Sequence, residues 1–438
     1  MNRRKSIAAF AVVAGFLAAG LGWGASAQSE TYAIRNARVV TVTGPVIEKG
    51  TVVISNGKIA AVGDSVSIPS GAKVIDGTGL SVYPGMMDAG TVLGLTEVSS
   101  IAGTVDTSEI GDNNADIHVD VAIHPDSSHF GVTRVVGVTT AVTAPRGGTI
   151  SGQSAIISLD GWVPKEMVLK SPAAMHLIWP GSGRAAGSEF AEGPGLRRGG
   201  AEARREQERQ VEALKKALRD ARAYADAKDA RAKDTSLPRQ DIDLKMEALI
   251  PVVRAQLPCV VAAISERDIK SVIAFADEMK VKVIIAGGVE AYKVADQLKA
   301  RSIPVIVGPV LRMPAGEDDS YDAAFANAGL LFKAGVKIAF QTLDSAHVRD
   351  LPYHAGMAAA FGLPKDEALK AVTINPAEIF GVADKVGSIE AGKVANVIVT
   401  DGDPLEILTN VKYLFINGRQ IPLTSRHTEL YEKYKARP

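Results

Sequence analysis

The chain has 438 residues, of which 46% are hydrophobic and 22% charged, with 49 basic and 49 acidic side chains. This neutral, mixed composition excludes a basic nucleic-acid-binding protein and an acidic disordered chain. A single cysteine, Cys259, excludes an intramolecular disulfide and a cysteine-rich metal site, and seven histidines are a small supply for a metalloenzyme. The length suits two or three domains, or one α/β barrel with an additional domain.

Residues 1–27 have the composition of a secretory signal peptide. Basic residues at positions 3–5 precede an alanine-rich apolar run, 7–22, and Ala25-Ser26-Ala27 supplies a cleavage pattern. The apolar run is shorter than the about 20 residues that a membrane span needs, so a retained anchor is the weaker alternative. We therefore predict Sec-type export, cleavage after Ala27, and a periplasmic mature protein that binds neither membrane nor nucleic acid.

Strands are predicted at both ends of the mature chain. Asn56-Gly57 separates two β-branched runs near the start, and Asn417-Gly418 follows another run near the end. Asn-Gly suits a tight hairpin because both central residues of a type I′ turn need positive φ. Neither terminal region is long enough to form a domain alone. We predict a small composite β-sandwich built from both chain ends, residues 28–84 and 388–425.

Between these regions, short apolar strands alternate with helices. The strands are predicted at 139–143, 155–159, 259–263, 281–286, 304–308 and 336–341, and helices at 266–280, 290–300 and 320–334 separate the later ones. This alternation is typical of parallel βαβ units. Its length, about 300 residues, favours a (β/α)8 TIM-type barrel over an open doubly wound sheet. The barrel is predicted over residues 85–387.

Residues 183–237 interrupt the alternation as a helical insertion. A stretch rich in Gly and Pro precedes a charged helix that runs from Ala201 to about Asp229. Apolar residues recur in this helix at three- and four-residue spacing, at Val211, Leu214, Leu218, Ala221 and Ala225. We interpret it as a surface helix packed through this narrow stripe, and a lid or partner helix over the barrel mouth is the alternative.

Distinct motifs lie at both ends of the predicted barrel. Near its start the chain reads Val74-Ile75-Asp76-Gly77 and Tyr83-Pro84-Gly85-Met86-Met87-Asp88-Ala89, and near its end Thr373-Ile374-Asn375-Pro376-Ala377. These motifs resemble those of the amidohydrolase superfamily, in particular its imidazolonepropionase-like and prolidase-like branch. The resemblance extends over nearly all of residues 30–420. It implies a metal-bearing (β/α)8 barrel, a composite β-sandwich and homo-oligomerisation.

The resemblance also implies metal ligands at the carboxyl ends of the barrel strands. In such enzymes, histidines and an aspartate hold one or two divalent metals that lower the pKa of bound water. All but one of the implied positions in this chain carry side chains that cannot bind metal. The positions are Gly90 and Val92 on strand one, His176 on strand four, Ile264 on strand five, Gly287 on strand six and Leu343 on strand eight. We therefore predict a pocket that holds no metal and no other cofactor.

A relocated mononuclear zinc site is the alternative. His176 at the end of strand four, together with Asp344 and His347 in the strand-eight loop, could supply three donors. The simpler interpretation is that His176 bonds to backbone and His347 is solvated. A second polar cluster matches no regular metal template, and we interpret it as a polar loop over the barrel mouth. It comprises Asp112, Asp116, His118, Asp120, His124, Asp126 and His129.

Two functions from different classes follow. We favour a catalytically silent barrel, a pseudoenzyme that binds a small molecule or supports an active amidohydrolase relative, because function depends on site residues and not on fold alone. The alternative is a hydrolase of carbon–nitrogen bonds, in non-peptide or dipeptide amides, that uses the relocated zinc.

Overall fold

The structure is a computed structural model that describes residues 30–181, 201–314 and 319–437. It has a mixed α/β fold. The predicted signal peptide and the first part of the predicted insertion lie outside these ranges. Among the described helices, none combines the length and the apolar character that a membrane crossing requires.

The described strands fall into three sheets. In chain order they are β1 Tyr32–Val39, β2 Ile47–Ser55, β3 Lys58–Gly63, β4 Lys73–Asp76, β5 Ser81–Pro84, β6 Met86–Thr91, β7 Val138–Thr143, β8 Ile150–Gln153, β9 Ala155–Ser158, β10 Val168–Lys170, β11 Met175–Ile178, β12 Cys259–Ala263, β13 Val283–Gly287, β14 Val305–Val307, β15 Ile338–Phe340, β16 Val397–Thr400, β17 Val411–Ile416 and β18 Arg419–Ile421. The six strands predicted in the middle of the chain all end within two residues of these bounds.

The helices lie between and after these strands. The α-helices span Ser128–Arg134, Pro164–Met167, Ala201–Lys233, Leu244–Val253, Glu266–Met279, Ala295–Ala300, Ala323–Ala334, Leu351–Ala360, Lys365–Ala371, Ile374–Ile379 and Arg426–Lys435. Short 3-10 helices span Ala102–Thr104, Val119–Val121, Ala291–Val294 and His347–Asp350. The helix predicted at 290–300 is therefore divided into a 3-10 turn and a short α-helix.

Strands from both ends of the chain share one sheet. Its order is β18-β17-β16-β5-β1-β2-β3, with β4 beside β1, and β16 joins the C-terminal strands to β5 in antiparallel pairing. Asn56, Gly57, Asn417 and Gly418 all have positive φ, as the Asn-Gly hairpins require.

The other two sheets meet at one extended segment. The four-stranded sheet has the order β10-β9-β7-β6 and the six-stranded sheet the order β15-β14-β13-β12-β11-β8. Only Ser154 separates β8, in the six-stranded sheet, from β9, in the four-stranded sheet, so the segment 150–158 is shared between the two sheets. This segment runs antiparallel to β7 on one side and to β11 on the other. The prediction of uniformly parallel strands is therefore wrong at 155–159, because the short connection after β7 has no room for the crossover that parallel pairing needs.

The free edges of these two sheets also touch each other. The backbone N–H of Leu343, just after β15, donates to the carbonyl of Gly90 on β6 at 3.0 Å. Nearby, the Thr342 hydroxyl donates to the Asp88 carboxylate at 2.5 Å. The first and last strands of the central region are thus held together at their carboxyl ends.

The core follows the two-residue period of the strands. One face of the central strands packs into a cluster with Phe380, whose strand members include Met87, Val142, Ile156, Val260, Ile284 and Ile306. Residues on the opposite face, such as Val261 and Ile285, pack in a larger cluster against the helices. Such alternation of two buried faces is expected where strands are covered on both sides.

The insertion helix Ala201–Lys233 packs on the protein through the predicted apolar stripe. Leu214, Leu218, Ala221 and Ala225 are all buried. The Arg222 guanidinium extends from the same helix and donates to the carbonyl of Met279 at 2.7 Å. The burial of this stripe agrees with the interpretation as a surface helix packed on the protein.

Candidate ligand site

The carboxyl ends of β12, β13, β14 and β15 surround a small recess of about 40 Å³. Ile264, Gly287 and Leu343 line it, so the structure brings together three of the six predicted pocket positions. The remaining wall includes Gln341 and Arg312. A volume of this size accommodates roughly one water molecule or a methyl-sized group.

Gln341 occupies the space beside Gly90, a fourth predicted position. Its side-chain amide donates to the carbonyl of Gly308 at 3.2 Å. Its Oε1 lies 2.5 Å from the point where a Cβ atom at residue 90 would stand. A side chain at position 90 would therefore displace Gln341. Val92, the fifth position, is 4% exposed and packs in the large core cluster away from the recess lining.

The side chains around the recess do not fit a divalent metal. They are aliphatic groups, glycines, a neutral amide and the guanidinium of Arg312, none of which is a carboxylate, imidazole or thiolate donor. In the part of the chain that the structure describes, no three His, Cys, Asp or Glu side chains lie close enough together to hold an ion.

Comparison with known proteins identifies the family. Residues 261–421 match the model of the Amidohydrolase family. The crystal structure of an amidohydrolase from Thermotoga maritima superposes with a TM-score of 0.77 at 26% sequence identity, covering 90% of this chain and 100% of that one. The chain belongs to the amidohydrolase superfamily.

Curated members of the superfamily match shorter regions or only part of a longer protein. An imidazolonepropionase from Shouchella clausii is 36% identical over 87 residues, which are 19% of this chain and 20% of that enzyme. Amidohydrolase tasK from Hapsidospora irregularis is 25% identical over 84% of this chain. The chain spans only 39% of the length of tasK.

His176 is the one donor side chain among the six predicted positions of this amidohydrolase-superfamily protein. It is the second residue of β11, opposite Val260 and Gly152, and so lies within the strand, not at its end as predicted. Its Nε2 atom is buried and has no hydrogen-bond partner among the described residues, so the expected bond from this atom to backbone is absent. Burial lowers the pKa of His176 to about 3, which keeps the imidazole neutral.

The other two residues of the predicted zinc site have local partners. The Asp344 carboxylate accepts from the backbone N–H groups of Ala346 at 2.7 Å and His347 at 3.3 Å. The exposed His347 imidazole bonds to Asp350 at 2.8 Å. The structure therefore does not gather His176, Asp344 and His347 into one donor set.

The three histidines of the second polar cluster also bond to separate partners. His118 accepts from the Gln153 amide at 3.2 Å, His124 bonds to Asp106 at 2.9 Å, and His129 bonds to the carbonyl of Glu97 at 3.0 Å. Isolated bridges pair this loop with the edge of β8. These contacts agree with the interpretation as a polar loop.

Sequence reasoning missed a buried carboxylate beside the recess. Asp88 is fully buried and accepts hydrogen bonds from the Thr342 hydroxyl and from the Gly90 N–H at 2.9 Å. Burial raises its pKa to about 7, although these hydrogen bonds act in the opposite direction. The signal was present, since Asp88 stands two residues before a predicted ligand position.

Two arginines near the strand ends were also missed. Arg312 lines the recess and Arg146 follows β7, and burial lowers the pKa of both guanidinium groups. The negative charge of Asp344 partly opposes this effect at Arg146. Both arginines come within a few residues of a predicted strand end, the position where side chains of parallel strands converge. That placement could have marked them as candidate binding residues.

Proposed function

We propose that this protein is a catalytically silent member of the superfamily, which binds a small molecule at the carboxyl ends of its strands without a metal ion. The observation that carries the proposal is the composition of the recess, where Ile264, Leu343 and Gln341 stand together and offer no carboxylate, imidazole or thiolate. A defined ligand set is required to fix a metal and its water, and function depends on such residues more than on fold.

The scaffold of the proposal is a closed (β/α)8 barrel beside a composite β-sandwich. The shared segment 150–158 and the bond from Leu343 to Gly90 support closure, because each of them links the two central sheets. One of the eight strands of this barrel, the shared segment, would run antiparallel to its neighbours. The β16–β5 pairing supports a composite domain of residues 28–84 and 388–425.

The recess itself indicates which ligands fit. It is small and mostly aliphatic, and Arg312 and Gln341 provide its polar groups. A fitting ligand would have a short aliphatic group and a polar end. Its aliphatic group would lie among Ile264, Val289 and Leu343, and its polar end would lie near Arg312. The insertion helix begins close by, since Gln207 donates to the carbonyl of Pro180 after β11 at 2.7 Å. We further propose export to the periplasm, based on the composition of residues 1–27.

Metal analysis and activity assays together test the proposal. Protein purified without chelator should contain well under one equivalent of zinc, manganese or iron, and should hydrolyse neither dipeptides nor non-peptide amides when zinc is added. A ligand screen by NMR should detect binding that Ile264→Trp abolishes by filling the recess, while the matched variant Ile264→Leu retains it. Stoichiometric metal that supports turnover, lost in His176→Ala or Asp344→Ala, would overturn the proposal in favour of the relocated zinc site.

A further inference from the structure

A second cavity lies at the opposite end of the same strands. It has a volume of about 460 Å³ and is lined by residues that precede the strands, including Pro258 before β12, Lys282 before β13 and Ser302 before β14. The recess is lined by residues that follow them, such as Ile264 after β12. We call this second space the basal cavity. The length of the strands separates it from the recess, so its ligand would not share the site already described.

We propose that the basal cavity binds a compact, doubly charged oxyanion, such as a phosphate group. Its lining includes three cationic side chains, Lys170, Lys282 and Arg301, and two carboxylates, Asp277 and Glu378. This inference is independent of the function proposed above, because it uses none of the residues of the recess.

Both carboxylates of the basal cavity already have cationic partners. Asp277 accepts from the Arg301 Nε at 2.9 Å and 3.2 Å, and Glu378 pairs with Lys337, which is not part of the lining. Two cations therefore remain without a carboxylate partner in the cavity. Such an excess favours an anionic occupant.

The two remaining cations are the ammonium groups of Lys170 and Lys282. Lys170 donates to the carbonyl of Phe380 at 2.7 Å, a neutral acceptor. The exposed Lys282 has no ion pair or side-chain hydrogen bond among the described residues. Because an ammonium group has three donors, both side chains retain the capacity to bond to an oxyanion.

The electrostatics around Lys170 supports the same occupant. Burial lowers its pKa, and the neighbouring ammonium of Lys385 lowers it further, while Asp384 opposes both. A bound anion would offset the repulsion between the ammonium groups of Lys170 and Lys385. Neutral donors are also present, because the hydroxyl of Ser302 and the amide of Gln256 have no side-chain hydrogen bond among the described residues.

The walls of the basal cavity suit an organic group attached to the anion. Ile303, Pro304 and Phe380 contribute apolar surface beside the lysines. The volume exceeds what a free phosphate needs and falls within the range of small-molecule sites, about 300–1,000 Å³. A phosphate ester of a small organic molecule and a small dicarboxylate both combine negatively charged oxygens with an apolar part. Binding measurements distinguish these two ligand classes.

Calorimetric titration of the full-length mature protein tests the inference. The probes are inorganic phosphate, phenyl phosphate and succinate, each at low ionic strength because salt screens such contacts. We expect phenyl phosphate to bind, and Lys282→Ala and Lys170→Met each to weaken binding about tenfold, the loss expected for one charge-assisted hydrogen bond. Lys270→Ala is the matched control, since it removes one positive charge from the helix Glu266–Met279 without touching the cavity.

The outcomes of these titrations are distinguishable. Tighter binding of phenyl phosphate than of inorganic phosphate identifies an ester as the ligand class, whereas tighter binding of succinate identifies a dicarboxylate; both support the oxyanion site. Absence of saturation by all three probes in the millimolar range, or equal affinity in Lys282→Ala and wild type, overturns it. Because Lys282 is exposed, its substitution tests binding without unfolding the protein. The affinity of any ligand of the recess should not change in these variants.

Discussion

The two ends of the strands β12–β15 present opposite kinds of surface. At the carboxyl ends, aliphatic side chains, glycines, the neutral amide of Gln341 and the single guanidinium of Arg312 enclose a recess of about 40 Å³. At the amino ends, lysines, an arginine and two carboxylates surround a cavity of about 460 Å³. The superfamily's chemistry depends on donors at the first of these places. In this chain five charged side chains line the second place, whereas Arg312 alone lines the first.

This difference shows how one scaffold separates stability from binding. Small and apolar groups at the carboxyl ends can pack on each other, and the half-buried Ile264 and Leu343 contribute part of the about 1.5–3 kcal/mol that a fully buried side chain gives. Charged groups in the basal cavity gain little from their surface pairs, since exposed ion pairs contribute about 0.2–1 kcal/mol. Groups that stabilise the fold so little are better placed to serve binding.

The largest expected effect concerns Asp88, the buried carboxyl group at the carboxyl ends. Its folded-state pKa of about 7 lies above the ordinary value of 3.8, so the folded protein binds a proton that the unfolded chain has already released. The contribution of Asp88 to the free energy of unfolding is therefore fully present below about pH 4 and decreases as the pH rises toward 7. The loss is on the order of 4 kcal/mol, from a shift of about three units at 1.36 kcal/mol each.

Urea unfolding of wild type and Asp88→Asn at pH 5 and pH 8 measures this effect. The variant cannot ionise, so its free energy of unfolding relative to wild type should be higher at pH 8 than at pH 5. Asp366→Asn, at an exposed carboxyl group, is the matched control and should show no such change. An identical difference between Asp88→Asn and wild type at both pH values would refute the assignment of a buried, protonated Asp88.

The next effect concerns the space that Gln341 takes beside Gly90. A Cβ atom at position 90 would stand 2.5 Å from Gln341 Oε1, so Gly90→Ala should destabilise the protein by about 1–3 kcal/mol through overpacking. Gly90→His should cost at least as much. Gln341→Ala in the same chain should recover part of the loss, because it vacates the space.

A double-mutant cycle in urea tests this contact. A positive coupling between positions 90 and 341 is expected, and strictly additive free energies would show that Gln341 does not fill the site. Histidines at both 90 and 92 should still create no amidase activity. Ile264 and Leu343 would adjoin them without the remaining donors, and Val92 would be lost from the core.

Six of the central strands and the terminal hairpins could be predicted from sequence because each carries a local signal. Runs such as Cys259–Ala263 are apolar and bounded by turn residues, and the Asn-Gly hairpins need positive φ. The direction of the segment 150–158 could not be predicted in this way. Pairing partners are set by connections and long-range contacts, and the apolar pattern of a buried strand is the same in both orientations.

The residues of the candidate site also fall into two groups, those that a local sequence pattern predicts and those that depend on long-range contacts. Ile264, Gly287 and Leu343 were placed at strand ends by motif spacing and by resemblance, and they line one recess. The roles of Gln341 and Asp88 depend on contacts across β6 and β15, which lie about 250 residues apart in sequence. No local pattern reports such contacts. His176 illustrates the opposite error, because a two-residue difference in the strand end moves it from the rim into the strand.

The smallest expected effect is the response to chelation. In a metal-bearing relative, an ion bound to the folded state stabilises it by mass action, so removal of the ion lowers the thermal midpoint. Here the carboxyl ends are packed by Ile264 and Leu343 and closed by Gln341, so their stability does not depend on an ion. EDTA should therefore leave the midpoint of thermal unfolding unchanged, as followed by circular dichroism. The basal cavity supplies the contrast, since phosphate should raise the midpoint less in Lys282→Ala than in wild type. A large decrease with EDTA, reversed by one divalent metal, would place an ion at the carboxyl ends and remove the difference between the two ends.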